Sequence, residues 1–469
     1  MPAIAMGPAA ALLLTVLAVF AWIGVHARAS GGSLDDYLTA RDSQGATALA
    51  LSFLASGAGA WILFAPPEVG AFVGPLGVAG YAIGGAAPFL AFAWIGPRIR
   101  RVVPHGHGLT SFLRHRFGRT FHVYVIALSV LYMLTFVTAE LTAAGSVTAL
   151  LSGIPDWIVV TLVAAATLLY TAWGGLRASL RTDCWQAVLL VGLLLGAAFV
   201  ASAALPEASS AAPVAVSGGL GAAVTLVIAV TTANLFHQGY WQRVWSAESH
   251  GALRRGAVAG AAISAIVIAV TGVLGMVAAH AGLPLGDPPA PLFALFDGGP
   301  SWLAPLVLVL AITLVASSVD TLENGLTALV GTEHPALSLG RARWLTVLLM
   351  IPAVAVAFEG YSVLRILLIA DLLCTTAVVP ALAGLWGRLG GRGALVAAVA
   401  GVVGAFAGAL WQQGSLLAAT FPGDTPTAGP FVGALAASAL IVAVAAALRG
   451  DRVDPVAAGN AVPVLDRGA

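Results

Sequence analysis

The chain has 469 residues, of which 59% are hydrophobic and only 9% are charged, and its formal net charge is +1. A soluble domain carries about 25% charged residues, so this composition excludes a soluble globular protein and predicts an all-α protein that crosses the membrane many times. No basic patch suited to nucleic acid is visible. Cys184 and Cys374 show no metal or disulfide spacing, and no zinc-protease or serine-hydrolase motif is present. We therefore expect neither an enzyme nor a bound cofactor.

Apolar runs of about 20 residues, the length that spans a bilayer, are predicted thirteen times. The first run is interpreted as a true span and not as a signal peptide, because no basic residue precedes it. The predicted spans, numbered one to thirteen, are 4–27, 45–73, 75–97, 120–151, 154–173, 182–204, 218–238, 252–282, 301–331, 341–358, 362–386, 393–411 and 429–448.

The positions of the basic residues predict the topology. All 21 are arginines, and all but Arg365 fall in loops after odd-numbered spans or in the tail. Cytoplasmic loops are enriched in arginine, so we expect an inner-membrane protein with its N-terminus outside and its C-terminus in the cytoplasm. Arg365, at the outer end of span eleven, either binds an anionic group or snorkels to the interface, and we favour snorkelling.

Spans two and seven are interrupted by small or polar residues. In span two, the run 55–60 (ASGAGA) serves either close helix packing or a helix break with free carbonyls. Span seven contains Asn234, His237 and Gln238 where its inner half should be apolar, while Tyr240 and Trp241 also suit an interfacial aromatic belt. These spans are five apart, so we predict a five-plus-five inverted repeat, in which paired broken helices mark a transporter's midplane site.

This repeat divides the chain into three parts. Residues 1–44 form the first transmembrane helix and an inside loop. Residues 45–387 form the transport core, with one repeat at 45–204 and the other at 218–387. Residues 388–469 form two peripheral transmembrane helices and a short cytoplasmic tail.

A polar stripe runs along span nine. Thr313, Ser317, Asp320 and Asn324 are spaced by four, three and four residues, which places them on one face of a helix. Unsatisfied polar groups in lipid cost several kcal/mol each, so the stripe faces other helices or a water-filled cavity. Interhelical hydrogen bonding and an ion or solute site both remain open.

Carboxylates also occur within predicted spans. Glu140 and Asp371 lie near mid-span, so each is either a buried, hydrogen-bonded carboxyl group or a lining residue of the central cavity. For Glu140 we hypothesise contact with a cationic group on the solute. We expect Asp183 to cap the inner end of span six, facing Arg177 or Arg181.

Four segments, in order along the chain, resemble those of one transporter family. They are residues 36–41 (DYLTAR), 111–118 (SFLRHRFG), 170–187 with its YTAWGGLRA and RTDCWQA runs, and 317–320 (SSVD). Together they resemble the sodium/solute symporter family over about residues 33–450. The resemblance implies the five-plus-five fold of amino-acid and galactose transporters, with sodium entry coupled to alternating access.

The resemblance also implies site residues. The sodium ligands carried over are Ala55, Ala58, Leu314, Ser317 and Ser318, as carbonyls and hydroxyls, which are oxygen donors suited to a hard cation. The residues expected around the solute are Ser56, Gly57, Gly59, Glu140, Asn234, His237 and Gln238. Gly57 stands where proline-transporting members carry Asp, which argues against proline. Asn234 matches an Asn of sugar-transporting members, and residues 240–243 resemble the urea and polyamine branch.

We therefore predict a sodium-coupled secondary transporter that imports a small polar organic solute by alternating access. The alternative is an uncoupled facilitator or channel, which would not need the serine pair and the broken span two. The expected partners are the solute, sodium and the lipid bilayer, with no nucleic acid and no protein partner. The chemical identity of the solute is not fixed by these patterns.

Overall fold

The structure is a computed structural model that describes residues 4–26, 34–210, 219–296, 299–331, 338–386, 389–420 and 426–448. The described part of the chain is almost entirely helical. The first nine helices are α1 (Met6–His26), α2 (Leu34–Thr39), α3 (Ala46–Gly57), α4 (Ala65–Val73), α5 (Pro75–Val102), α6 (Leu109–Phe117), α7 (Arg119–Ser152), α8 (Asp156–Ser210) and α9 (Gly219–Asn234). The other nine are α10 (Gln238–Ser246), α11 (His250–His280), α12 (Pro291–Ala294), α13 (Leu303–Gly331), α14 (Leu339–Ala357), α15 (Val363–Ala383), α16 (Gly391–Gln413), α17 (Leu417–Thr420) and α18 (Ala428–Leu448).

Both predicted broken spans are bent in the structure. The chain turns by 66° between α3 and the helical segment Ala60–Val73, and by 58° between α9 and α10. The breaks fall within predicted spans two and seven, as expected for equivalent elements of an inverted repeat. The prediction of broken helices at these two positions is confirmed.

Local sequence explains the first bend. Gly59 is extended, with φ −75° and ψ −176°, which interrupts the helical hydrogen-bond ladder after α3. The chain resumes as a short 3-10 turn over Ala60–Leu63 and then as α4. Pro66 and Pro67 stand in the first turn of α4, where a missing backbone N–H costs nothing. At the second break, the backbone of His237 is also extended, with ψ 104°.

The predicted number of spans is not confirmed. Eight described helices are long and apolar enough to cross a membrane, and the two bent pairs raise the number to ten. Shorter apolar helical stretches lie at Asp156–Thr171 and Trp344–Ala357. Predicted spans five and six are joined in α8, whose helical backbone runs for 55 residues.

Helix α8 contacts α13 at two places. Thr167 bonds to Glu323 of α13, and Asp183 accepts a bond from Ser317 of the same helix. Glu323 and Ser317 are separated by about 9 Å along α13. Residues from both predicted spans five and six therefore reach the same stretch of α13.

Several sequence-based expectations lie outside the described residues. They include the cytoplasmic tail from residue 449 and the loop that contains Arg28. The backbone of residues 177 and 181 is helical, but their side chains are not described. The domain boundaries at 44 and 387 remain predictions.

Glycines on α11 allow α4 to approach closely, which gives a test of the packing. A Cβ atom on Gly275 would lie 2.0 Å from the carbonyl oxygen of Pro67. We expect Gly275→Ala to destabilise the protein by about 1–3 kcal/mol, because the backbone must shift. In the matched control Gly251→Ala, on the same helix, the nearest atom is Ser249 Oγ at 3.8 Å. Equal thermal unfolding midpoints for the two variants in detergent would contradict this packing.

Candidate functional site

The polar stripe of α13 faces protein. Thr313, Ser317, Asp320 and Asn324 are each at most 2% exposed. Two of them, Ser317 and Asp320, form side-chain hydrogen bonds with α8. The expectation that the stripe avoids lipid is therefore confirmed.

Glu140 of α7 lies at the break in span two. Its Oε2 accepts a hydrogen bond from the backbone N–H of Ala60 at 2.8 Å, and its Oε1 accepts one from the Ser318 hydroxyl at 3.1 Å. A Cβ atom on Gly59 would lie only 1.6 Å from Glu140 Oε1, so glycine is required for this close approach. Glu140 thus joins α7, α13 and the start of the 3-10 turn.

Ser317 belongs to a second carboxylate cluster. Its hydroxyl donates to Asp183 Oδ1 at 3.0 Å. Asp183 Oδ2 accepts from Ser52 at 2.5 Å, from Ser56 at 3.2 Å and from Arg243 Nη2 at 3.0 Å. The Asp183 and Arg243 side chains are both 0% exposed.

The Arg243 guanidinium completes this cluster. Its Nε donates to Ser52 Oγ at 2.9 Å, its Nη1 donates to the Gly239 carbonyl at 2.8 Å, and its Nη2 also donates to Ser56 Oγ. A buried charge is tolerated when it is paired and hydrogen-bonded in this way. The two broken spans are therefore tied together, because Ser52 and Ser56 belong to α3 while Arg243 belongs to α10.

This arrangement corrects two sequence-based expectations. Asp183 is not a cap at the inner end of a span, because it lies within the continuous helix α8 and its buried carboxylate pairs with Arg243; the side chains of residues 177 and 181 lie outside the described part of the chain. Arg243 was assigned to a cytoplasmic loop, but it is fully buried within α10. The bend in span seven continues the helix beyond residue 238 and carries this arginine into the bundle.

Further polar contacts join α13 to α8. The Tyr170 hydroxyl donates to Asp320 Oδ2 at 3.1 Å and to the Ala316 carbonyl at 2.7 Å. Thr167 donates to Glu323 Oε1 at 2.9 Å. These bonds give Asp320 a supporting role between helices, as the sequence favoured.

The predicted sodium ligands lie on the two elements that were expected to supply them. Ala55 and Ala58, each 1% exposed, stand at the C-terminal end of α3 and in the break, while Leu314, Ser317 and Ser318 are buried on α13. The structure adds the Asp183 and Glu140 carboxylates beside the two serine hydroxyls. Oxygen donors of these kinds suit a hard cation such as sodium.

A small internal cavity lies between the two broken spans. Its volume is about 20 Å³, and its lining includes Gly57, Ala58 and Trp61 of span two with Asn234 and Tyr240 of span seven. The Asn234 amide oxygen accepts a bond from the Tyr132 hydroxyl at 3.3 Å. This volume holds about one water molecule, so an organic solute requires the cavity to expand.

His237 stands at the break in span seven. Its ring stacks on Tyr240 with 4.2 Å between centroids, and the rings of Tyr132 and Phe136 meet it edge-on at 6.2 and 5.7 Å. Neither ring nitrogen has a hydrogen-bond partner among the described residues, although the side chain is fully buried. A buried polar group of this kind needs a partner.

Gln238 is directed away from the cavity. Its side-chain amide donates to the His107 carbonyl at 2.8 Å, and Gln238 does not line the cavity in this conformation. This bond joins Gln238 to the loop that follows α5, and the substrate contact predicted for Gln238 stays a prediction.

Gln238 belongs to an inner latch, formed by residues 34–44 and 97–108 where they bind α10. Gln242 donates to the Leu38 carbonyl at 2.6 Å, and Trp245 Nε1 donates to the Val103 carbonyl at 3.2 Å. Arg100 donates to the Ala247 carbonyl at 2.7 Å. The inner latch closes the arginine-rich end of the molecule.

Asp35 holds the inner latch together. It accepts bonds from Arg41 Nη2 at 2.6 Å and from His107 Nε2 at 3.0 Å. Burial raises the pKa of Asp35, but the bonds from His107 and Arg41 outweigh it and hold the pKa well below its ordinary value. The carboxylate therefore stays ionised at neutral pH, and its ion pair with Arg41 stays intact.

The opposite end of the molecule carries an open cleft of about 870 Å³. Phe64, directly after the break in span two, lines this cleft and packs against Phe293 with 5.1 Å between ring centroids. Asp156 and Asp287 lie in the lining, and among the described residues no arginine, lysine or histidine does. The cleft therefore favours cations.

Two carboxylates lie near the small cavity on other helices. Glu68 of α4 and Asp371 of α15 are both buried and within electrostatic range of the Tyr81 hydroxyl, and Asp371 also interacts with Tyr132. The Tyr81 ring stacks on Trp61, a cavity residue, at 5.7 Å. In the described part of the chain, no basic side chain forms an ion pair with Asp371.

The fold is that of LeuT-like secondary transporters. Similar solved structures include a Na⁺-coupled sialic acid symporter in its substrate-bound outward-open state, with a TM-score of 0.77 and 16% identity over 95% of this chain and 99% of that chain. A nucleobase-cation-symport-1 family transporter, closed around bromovinylhydantoin, gives a TM-score of 0.61 and 15% identity over 92% and 99% of the two chains.

The sequence pattern of the sodium:solute symporter family matches residues 37–290. A spermidine transporter of Candida albicans is 31% identical over 74% of this chain and 68% of its own length. Sodium/glucose cotransporter 4 of Danio rerio is 29% identical over 38% of this chain and 26% of its own length. The protein belongs to the sodium:solute symporter family, so it is a membrane transporter and not an enzyme.

Sequence reasoning missed two features of the site. Arg243 was counted among the loop arginines, although Trp241, Val244 and Trp245 continue an apolar pattern around it. The available signal of a buried basic partner was Asp183, a carboxylate within predicted span six. Glu68 was not predicted as a buried carboxylate, because Pro66 and Pro67 directly before it are typical of a helix end.

The Asp183–Arg243 pair is open to a direct test. We expect Arg243→Ala to destabilise the protein by about 3–5 kcal/mol, because it leaves a carboxylate buried without its partner. The double variant Asp183→Asn/Arg243→Gln should lose less than the sum of the two single changes. Unfolding in detergent measures all three. Additive losses would show that the pair is not coupled.

Arg254→Ala is the matched control for this cycle. Arg254 is exposed on α11, where its guanidinium lies 5.3 Å from the ring centroid of Trp94. Its removal should change stability little, since an exposed cation–π contact contributes about 0.5–1 kcal/mol.

Proposed function

We propose that the protein is a sodium-coupled symporter that imports a small organic cation, such as an alkylamine or polyamine. The observation that carries this proposal is Asp371, a buried carboxylate that forms no ion pair with any described basic side chain and that interacts with Tyr81 and Tyr132. Carboxylates together with aromatic faces recognise ammonium groups. The similarity to a spermidine transporter supports the same substrate class.

Glu140 does not bind the substrate in this proposal. Both of its oxygens are already engaged, with Ala60 N–H and with Ser318. It acts as a brace at the break, while Asp371 and Glu68 attract the cation. The carboxylates proposed to contact the cationic solute are therefore Asp371 on α15 and Glu68 on α4, and no longer Glu140 on α7.

The sodium site is proposed between the span-two break and α13. Its oxygens come from the carbonyls of Ala55, Ala58 and Leu314 and from the hydroxyls of Ser317 and Ser318. The neighbouring carboxylates supply negative charge at short range, and the fixed backbone of the break supplies carbonyls. Sodium entering here would stabilise one geometry of the break and so favour one state of the transporter.

The expected path of transport follows from the two ends of the molecule. The cation enters through the cleft with Asp156 and Asp287, passes the Phe64–Phe293 contact and reaches Asp371. The cavity next to Asn234 then expands, and the unpartnered ring nitrogens of His237 offer a polar contact. Release requires the inner latch to open, because α10 is bound to residues 34–44 and 97–108.

The arginine distribution supports the proposed orientation. The arginine-rich loop 98–119 lies at the latch end, and the cleft end carries acidic residues. By the positive-inside rule, the latch faces the cytoplasm and the cleft faces outside, with the N-terminus outside and the chain in the inner membrane.

Sodium coupling is tested in liposomes that contain the purified protein. Uptake of radiolabelled spermidine under an inward sodium gradient should exceed uptake in potassium at the same ionic strength. Ser317→Ala/Ser318→Ala should abolish this difference, because it removes both hydroxyl ligands, while Ser438→Ala on α18 serves as the matched control. Uptake by the unaltered protein that is equal in sodium and potassium would favour an uncoupled facilitator.

Substrate class is tested at Asp371. We expect Asp371→Asn to raise the KM for spermidine by about ten- to hundredfold, because one charged hydrogen bond is lost. Glu359→Gln, which removes an exposed carboxylate at the same end of the molecule, should leave the KM unchanged. Two results together would overturn the cation assignment. They are sodium-driven uptake of urea or glucose by the unaltered protein, and a KM for spermidine that Asp371→Asn leaves unchanged.

A further inference from the structure

An apolar groove lies on the outer surface of the helix bundle, away from the transport path. Its volume is about 470 Å³, within the range of small-ligand sites. Helix α7 contributes Leu131, Leu134, Thr135 and Thr138; α14 contributes Pro352, Ala353 and Val356; and Tyr361, Arg365, Ile366 and Ile369 come from the start of α15 and the turn before it.

Arg365 is the only strongly basic residue in this lining. It is also the one arginine that departs from the positive-inside pattern. Among the described residues, its guanidinium forms none of the ion pairs. A partly buried cation beside an apolar groove requires an anion or water to satisfy its five N–H donors.

The depth of Arg365 in the membrane follows from α15. Arg365 lies in the first turn of this helix, whereas Arg116 from the arginine-rich loop donates to the Gly384 carbonyl just beyond its last turn. Arg365 is therefore at the membrane surface opposite that loop. Ile366 and Ile369 continue the groove deeper into the apolar layer.

We propose that this groove binds an anionic phospholipid of the leaflet at the cleft end of the molecule. The phosphate would lie against the Arg365 guanidinium, which suits bidentate contact with phosphate oxygens. One acyl chain would run along Ile366, Ile369 and the α7 side chains. The free N–H groups at the start of α15 favour the same negative charge. Snorkelling alone does not explain why this guanidinium lines a groove.

A net negative headgroup is favoured over a zwitterionic one. The groove offers one cation, and no carboxylate lines it to pair with a choline or ethanolamine group. This proposal does not depend on the transported solute, since none of the groove residues belongs to the proposed substrate or sodium site.

Native mass spectrometry of the purified protein, in micelles that contain phosphatidylglycerol or phosphatidylcholine, tests the proposal. The unaltered protein should retain one phosphatidylglycerol in preference to phosphatidylcholine. Arg365→Gln should weaken this binding about tenfold or more, and Arg365→Lys should weaken it less because the charge remains. Thr135→Trp, which fills the groove without touching the charge, should also reduce it.

Arg119→Gln is the matched control, because it removes one exposed arginine at the opposite membrane surface. The proposal is supported if this variant retains the lipid while Arg365→Gln and Thr135→Trp lose it. Equal retention of the two lipids by the unaltered protein would overturn the proposal. Equal loss of the lipid in Arg119→Gln would also overturn it. So would a lipid-free dimer, detected by light scattering, that Thr135→Trp disrupts.

Discussion

The buried pair of Asp183 and Arg243 is the constraint on which the rest of the site depends. A guanidinium without its carboxylate would not be tolerated in this interior, so α8, α10 and α3 must meet at one point. Ser52 and Ser56 bond to both charges. Because α3 and α10 are halves of the two broken spans, a single charge pair fixes their relative position.

Ser317 and Ser318 connect that pair to the break in span two. The two neighbouring hydroxyls bond to carboxylates on different helices, Ser317 to Asp183 and Ser318 to Glu140. Glu140 in turn holds the first N–H of the 3-10 turn at Ala60. A cation that draws these hydroxyls to itself must change both sets of bonds at once. At the proposed sodium site, coupling between the cation and the break would therefore have a short physical route through α13.

The sequence was sufficient for the helical fold, both breaks, the burial of the α13 stripe and the family. These features depend on local patterns, such as polar residues at spacings of three and four and small residues within an apolar run. The partner of Asp183 was not predictable in this way, because α8 and α10 meet only after the chain bends. Likewise, the position of Gln238 against His107 depends on a loop more than 100 residues earlier.

The two ends of the molecule differ in their charged residues. At the latch end, Arg100 donates to the Val244 and Ala247 carbonyls, and Asp35 stays ionised because Arg41 and His107 bond to it. At the cleft end, acidic residues line an open space next to Phe64. Attraction between exposed charges is screened over about 8–10 Å at physiological salt, so Asp156 and Asp287 can gather cations only near the entrance. In the proposed transport path, Asp371, which is buried and therefore less screened, is the residue expected to distinguish a cationic solute from a neutral one.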